Sequence, residues 1–334
     1  MERATEPLDT GRSADGDRAP SFKPELPLQF SPLFDWPPNP RSIFSWLFGF
    51  PGYLWPWPIL FGCLAFATWL LLPDLNQIED VSPDWIYTLF AANFVMLVTF
   101  ISLWHLLLYR LKFQGREYKY NPKWPDKPSG TRLFGSQLRE NVFLTLFGAV
   151  PIWTAYVIIA LLAHGISITH TIYLDDNTAY FILLLIVTPI WMDVHFYLTH
   201  RLLHWPPLFR LAHHIHHRNV NISPWSGLSM HPVEHLLFYS GTLLYIAIPS
   251  HPFHVLYYTI SLSFAPALTH HGFGKVILSK GVRFNTDHYM HYMHHTYVNV
   301  NFGGSIVPLD RWFGSFHDGR SKRVRSSEDQ IERS

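Results

Sequence analysis

The sequence predicts an all-α integral membrane protein, with about four transmembrane helices and a re-entrant helical hairpin. Three observations carry this. Apolar residues make up 48% of the 334 and charged residues 15%. Four apolar segments, at about 57–72, 85–111, 142–162 and 178–198, follow one another. A helix needs roughly 20 apolar residues to cross the hydrocarbon core. Finally, the loop charges are lopsided, as in a chain with a fixed orientation.

Residues 1–50 read as a flexible cytosolic tail, polar at first and then proline-rich around Pro37, Pro38 and Pro40. No cleavable signal pattern is visible there. Residues 51–139 hold the first two apolar segments and a basic loop. The first segment is marginal in length unless residues 53–57 extend it. Residues 73–84 and 165–177 contain no Lys or Arg, whereas the loop between the second and third segments carries Arg110, Lys112, Arg116, Lys119, Lys123, Lys127, Arg132 and Arg139. The positive-inside rule puts that loop, the N-terminus and the chain after the fourth segment on the cytoplasmic side. A fifth apolar stretch, 236–268, is interrupted by Pro249, Ser250 and Pro252. Proline breaks a helix interior, so two half-length helices fit this stretch best. Residues 318–334 read as a second flexible tail.

Histidine carries the chemistry. There are 21 histidines and a single cysteine, Cys63, which excludes a disulfide framework, a Cys-based zinc site and an iron–sulfur cluster. The net charge of +1 gives no footprint for nucleic acid. Residues 200–217 read HRLLHWPPLFRLAHHIHH, and residues 287–295 read DHYMHYMHH. Residues three or four apart share a helix face. His200 and His204 are so placed, as are His213, His216 and His217, and again His291, His294 and His295. Together they exceed the four ligands of one tetrahedral zinc, so two metals are the natural reading. His195 lies about 140° from His200 around a helix and points elsewhere. His214 and His288 fit supporting roles beside the motifs. His105, His164, His170, His251, His254 and His317 read as ordinary polar residues. Trp191, Tyr197, Trp205, Trp225 and Phe238 are candidate walls of an apolar slot.

These motifs resemble those of the membrane-bound fatty acid hydroxylase/sterol desaturase superfamily. HRLLH matches its first histidine box, and the two H-x-x-H-H runs match its second and last. HPVE at 231–234 is similar to its HP-(D/E) element, which places His231 among the ligands. THHG at 269–272 is similar to the single-histidine element, with His270 at the ligand position. HHTYVNVNFGGSIVPLDRWFGSF (294–316) resembles the end of the domain. The resemblance covers residues 140–317, which it marks as the catalytic domain. It implies a cytosolic helical cap over the membrane helices, holding two iron ions through His200, His204, His213, His216, His217, His231, His270, His291, His294 and His295.

The implied reaction is O2-dependent oxidation of an unactivated C–H bond in a membrane lipid. Electrons would come from an external donor such as cytochrome b5 and its reductase. The implied home is the endoplasmic reticulum membrane if the source is eukaryotic. No single branch of the superfamily fits throughout: Trp205 follows His204, and Gly274 and Lys275 stand where 2-hydroxylases place a further histidine. Hydroxylation of an acyl chain or other lipid is the leading reading. Sterol desaturation at the same kind of site is the second. A metal transporter or a non-catalytic metal protein is a distant third, because ionisable residues are scarce within the first three segments.

Overall fold

Capping residues and prolines set where the long helices begin. The computed structural model describes residues 21–78, 81–125, 130–279, 282–286 and 288–320. The Ser82 hydroxyl accepts from the Asp84 N–H at 3.4 Å, Pro83 takes the first turn, and a helix runs through Pro83–Arg110. Ser136 starts Gln137–Gly165 in the same way. Asn177 accepts from the Tyr180 N–H at 3.0 Å and starts Thr178–Leu203. Side-chain oxygens at these positions satisfy backbone donors that a helix start leaves unpaired.

These three helices are long and apolar enough to cross a membrane. The first of the four segments expected from hydropathy falls short, forming the 13-residue helix Trp57–Trp69. At 1.5 Å per residue it spans roughly 20 Å of a core about 30 Å thick. Pro56 and Pro58 delay its start, and it ends at Leu70.

The proline-broken stretch forms a helical hairpin. Pro232–Tyr239 continues through short turns to Ala247, and a second arm, Pro252–Thr269, returns. At its tip the Ser250 N–H donates to His170 O at 3.1 Å, and the Ile172 N–H donates to Ser250 O at 3.0 Å. The tip therefore meets the loop that follows Gln137–Gly165. The returning arm is buried along nearly its whole length, against Trp57–Trp69 and all three long helices. An arm that carries no charged residue and buries the polar His254, Thr259, Ser261 and Ser263 belongs in a core. Phe264 stacks on Phe100 at 4.7 Å between centroids and meets Phe61 edge-on at 5.6 Å.

Two expectations are corrected. The chain is not wholly α-helical: Lys275–Ser279 and Val282–Asn285 form an antiparallel ribbon in which buried Val276 faces buried Phe284. Short β-branched and aromatic runs favour a pleated surface over a helix. The described part of the expected N-terminal tail, residues 21–50, packs against the rest of the chain. Residues 1–20 lie outside the described residues, but the Phe22 N–H donates to Lys119 O at 2.9 Å, Ser31 N–H donates to Ser305 O at 2.9 Å, and Leu28 is buried. Apolar side chains spaced along this strap pack against Tyr120, Tyr289 and Met293, so it docks on the histidine end. Of the expected C-terminal tail, residues 321–334 lie outside the described residues.

Candidate metal centre

Four helical stretches bring the histidines together. His200 lies in the last turn of Thr178–Leu203, and His204 caps that helix. His213 closes a π-helical turn, Phe209–His213, and His216 and His217 follow in His214–His217. A π turn widens the helix and is often found at functional sites. His291, His294 and His295 lie on Tyr289–Tyr297, and His270 follows the end of Pro252–Thr269.

The imidazoles form two groups. His200, His204, His213, His217 and His294 make one; His216, His270, His291 and His295 make the other. Each H-x-x-H-H run gives its i, i+4 pair to one group and its middle histidine to the other. His213 and His217 join the first group while His216 crosses to the second, and His291 and His295 join the second while His294 crosses to the first. The two helices thus lock the groups side by side.

The contacts within each group cannot be ordinary hydrogen bonds. In the first, Nε2 atoms lie 3.1 Å apart for His200–His213, 3.1 Å for His204–His213, 3.1 Å for His213–His217 and 3.0 Å for His217–His294. In the second, His270 Nε2 lies 3.0 Å from His291, 3.1 Å from His295 and 3.4 Å from His216. A neutral imidazole has one N–H and one lone pair. The far nitrogens take the proton. Nδ1 donates to Phe302 O at 2.6 Å from His200, to Glu234 Oε1 at 2.7 Å from His213, to Val300 O at 2.7 Å from His294 and to Pro266 O at 2.9 Å from His270. Their Nε2 lone pairs then point inward at one another. A cation between them resolves the repulsion. Ligands about 2.1 Å from a metal stand roughly 3.0–3.4 Å from their neighbours, which is the spacing seen. The donor set fits two nitrogen-ligated metals of the borderline class.

Electrostatics favour the ligating form. Burial, reinforced by neighbouring imidazoles, holds His213, His216, His217, His291, His294 and His295 well below the ordinary histidine range. Burial also holds His204 well below it and brings His270 down to about 3. These rings are neutral near pH 7, as metal ligands must be.

His231 is a correction. It joins neither group: its Nδ1 accepts from the Val233 N–H at 3.2 Å and caps Pro232–Tyr239. A ring turned to its own helix start presents that nitrogen to the backbone rather than to the centre. The useful residue of this element is Glu234, buried and bonded to His213. HPVE does mark a residue of the site, but that residue is Glu234, which bonds His213, rather than His231. His195, His214, His235, His271 and His288 are also outside both groups. Sequence reading missed the carbonyls of Pro266, Val300 and Phe302, since backbone acceptors leave no trace in residue identity. It also missed what aims the last two. Asp310 accepts from the Phe302 and Gly303 N–H groups at 2.9 and 2.7 Å, and Asp193 accepts from Gly304 and Val307 at 2.9 and 2.7 Å.

A cavity of about 150 Å³ reaches both groups, touching His200 and His213 of one and His216, His270 and His291 of the other. Met192, Phe196, Phe238 and Leu262 make much of its wall. Of the aromatic residues proposed from sequence, Phe238 alone lines it. Trp205 is exposed, Tyr197 stacks on Phe313, and Trp191 donates to Gly241 O.

Comparison with known proteins places this site. Residues 184–315 match the model of the fatty acid hydroxylase family. Among curated proteins, the chain is 28% identical to the Delta(7)-sterol 5(6)-desaturase of Eremothecium gossypii over 131 residues, 38% of this chain and 35% of that protein. It is 32% identical to the Delta(7)-sterol 5(6)-desaturase of Saccharomyces cerevisiae over 125 residues, 37% of this chain and 33% of the relative. A more extended match, at 23% identity, pairs 73% of this chain with 82% of a Delta(7)-sterol 5(6)-desaturase of Aspergillus fumigatus. The match thus spans about a third of the length of the first two relatives. No solved structure matches the chain. Residues 184–315, which contain all nine converging imidazoles, are the stretch that matches the fatty acid hydroxylase family.

Proposed function

We propose that this chain is an O2-dependent di-iron oxidoreductase that hydroxylates an unactivated C–H bond of a membrane lipid. The observation that carries the reading is one apolar cavity bordered by both imidazole groups. His200, His204, His213, His217 and His294 would hold one iron, and His216, His270, His291 and His295 the other. Bound iron would supply the oxidising power that no side chain has. The protein's part is to hold the lipid and exclude water. Glu234 and the carbonyls behind the ligands keep His200, His213, His270 and His294 in one tautomer and orientation. Met192, Phe196, Phe238 and Leu262 form a dry wall for hydrocarbon.

The supporting arrangement is a multi-pass membrane protein with the site on the cytosolic side, where the basic loop lies. In a eukaryote the endoplasmic reticulum is its proposed home. Residues 140–317 are the proposed catalytic domain, and electrons would come from a separate donor such as cytochrome b5 with its reductase. A second reading, sterol desaturation at the same site, is favoured by the sterol desaturases among the similar proteins.

Lipid profiling of a host expressing the chain, against a His216→Ala/His294→Ala control, tests the proposal. A new hydroxylated lipid absent from the control supports it. A sterol two hydrogens lighter moves the assignment to desaturation. No change with iron-loaded protein and a supplied electron donor contradicts both.

A further inference from the structure

The cavity at the metal centre adjoins a second one. This outer cavity, of about 300 Å³, is walled by Trp46, Tyr53, Trp57, Trp104, Tyr257 and Phe284 among others. Six residues border both cavities: Met192, Ala265, Thr269, His288, Ser305 and Ile306. They line the boundary, or neck, between the two. The outer end opens beside the helix Pro40–Phe48 and the loop after it, where Phe44, Phe48, Phe50 and Trp55 are exposed. In a chain with three membrane-length helices, such an aromatic surface belongs at the lipid interface.

The neck differs in chemistry from what it joins. Thr269 Oγ1 is occupied, donating to Pro266 O at 3.2 Å. The His288 ring and the Ser305 hydroxyl make no side-chain hydrogen bond among the described residues. His288 is partly accessible and borders both cavities. A ring nitrogen facing a hydrocarbon ligand costs free energy unless something bonds to it. The inner cavity has about the bulk that holds a single benzene ring, so only a short piece of a lipid fits beyond the neck.

We propose that the two cavities form one substrate path and that His288, with Ser305 beside it, is a positioning residue for a hydrogen-bonding group on the lipid. This deepens the oxidation reading and rests on it. The substrate class is a lipid whose ester, amide, carbonyl or hydroxyl group lies within about one ring's length of the oxidised carbon. Its short arm reaches the imidazoles, and its longer apolar arm fills the aromatic outer cavity. An unbroken hydrocarbon at the neck would leave His288 without a partner.

The test is equilibrium binding to the purified, iron-loaded full chain. The probes are tritiated hexadecyl butanoate, an ester with one short and one long arm, and tritiated eicosane, a hydrocarbon of equal carbon count. The wild-type chain should prefer the ester by about tenfold, the ratio one well-made hydrogen bond gives. His288→Ala should erase the preference with hydrocarbon binding and iron content unchanged, and His288→Gln should restore part of it. No preference in the wild type, a preference that survives His288→Ala, or equal loss of both probes in both variants would overturn the assignment. Failure of the oxidation reading is distinguishable: it appears as absent product in the lipid profile while the ester preference stands.

Discussion

Histidines gather at both ends of these helices, and their ring nitrogens meet different things. At the cytosolic end proposed here, nine Nε2 atoms crowd one another in two groups. At the other end, roughly 30 Å along the third long helix, each contact is an ordinary pair. His164 lies 2.9 Å from the Thr171 hydroxyl and 3.3 Å from that of Ser250. His254 Nδ1 accepts from the His251 N–H at 3.0 Å, and its Nε2 donates to Phe181 O at 3.0 Å. His251 Nδ1 accepts from the Phe253 N–H at 3.1 Å and caps the returning arm of the hairpin. One end distributes protons until its donors are matched to acceptors. The other aims lone pairs at one another and needs a cation. Convergence of acceptors, rather than the number of histidines, separates a metal centre from a polar core.

The largest expected effect breaks this contrast at its crossing points. His216→Ala or His294→Ala should lower turnover at least about a thousandfold and reduce bound iron, with membrane insertion intact. His164→Ala should leave iron content unchanged. Metal analysis of the three purified variants checks this, and full iron in His216→Ala would remove the ligand assignment. Next is Glu234→Gln, which keeps the shape but weakens the bond that orients His213. Outer-shell changes of this kind typically cost about 10–100-fold in metal affinity or activity. A competition titration with a chelator reads the affinity; an unchanged value would reduce Glu234 to packing.

Acid sharpens the comparison further. Burial depresses His204, His213, His216, His217, His270, His291, His294 and His295 in the folded chain. The unfolded chain takes up protons near the ordinary value of about 6.5. Their contribution to stability is therefore complete above about pH 6.5 and is lost progressively as pH falls toward the folded values. The thermal midpoint of metal-free protein should be lower at pH 5 than at pH 7.5, and the drop should be smaller in His216→Ala. Equal drops would show that the cluster does not set the acid response. The smallest effect is expected for His231→Ala. Losing its cap should cost about 1 kcal/mol of stability and leave the iron content alone; loss of iron would return His231 to the ligand set.

Much of this was legible before the fold was known. Helical spacing put His213, His216 and His217 on one stretch of helix and His291, His294 and His295 on another. Spacing alone could not say which histidine crosses to which group, because that depends on how two helices far apart in sequence face each other. His231 was misplaced for a related reason: a histidine before a proline can as well cap a helix as reach a metal. The start of the second arm at Pro252 was legible from the prolines. The arm's place at the centre was not, since a helix with no charged residue looks the same buried in protein or in lipid. The ribbon of Lys275–Ser279 and Val282–Asn285 was missed because strands of five and four residues carry no decisive period.

Iron stoichiometry and ligation, measured together on purified protein by elemental analysis and X-ray absorption, test the central claim most directly. The account predicts two irons per chain in nitrogen-dominated coordination, with iron lost in the His216→Ala/His294→Ala variant. A chain that binds no iron, or holds the same iron in that variant, would contradict it.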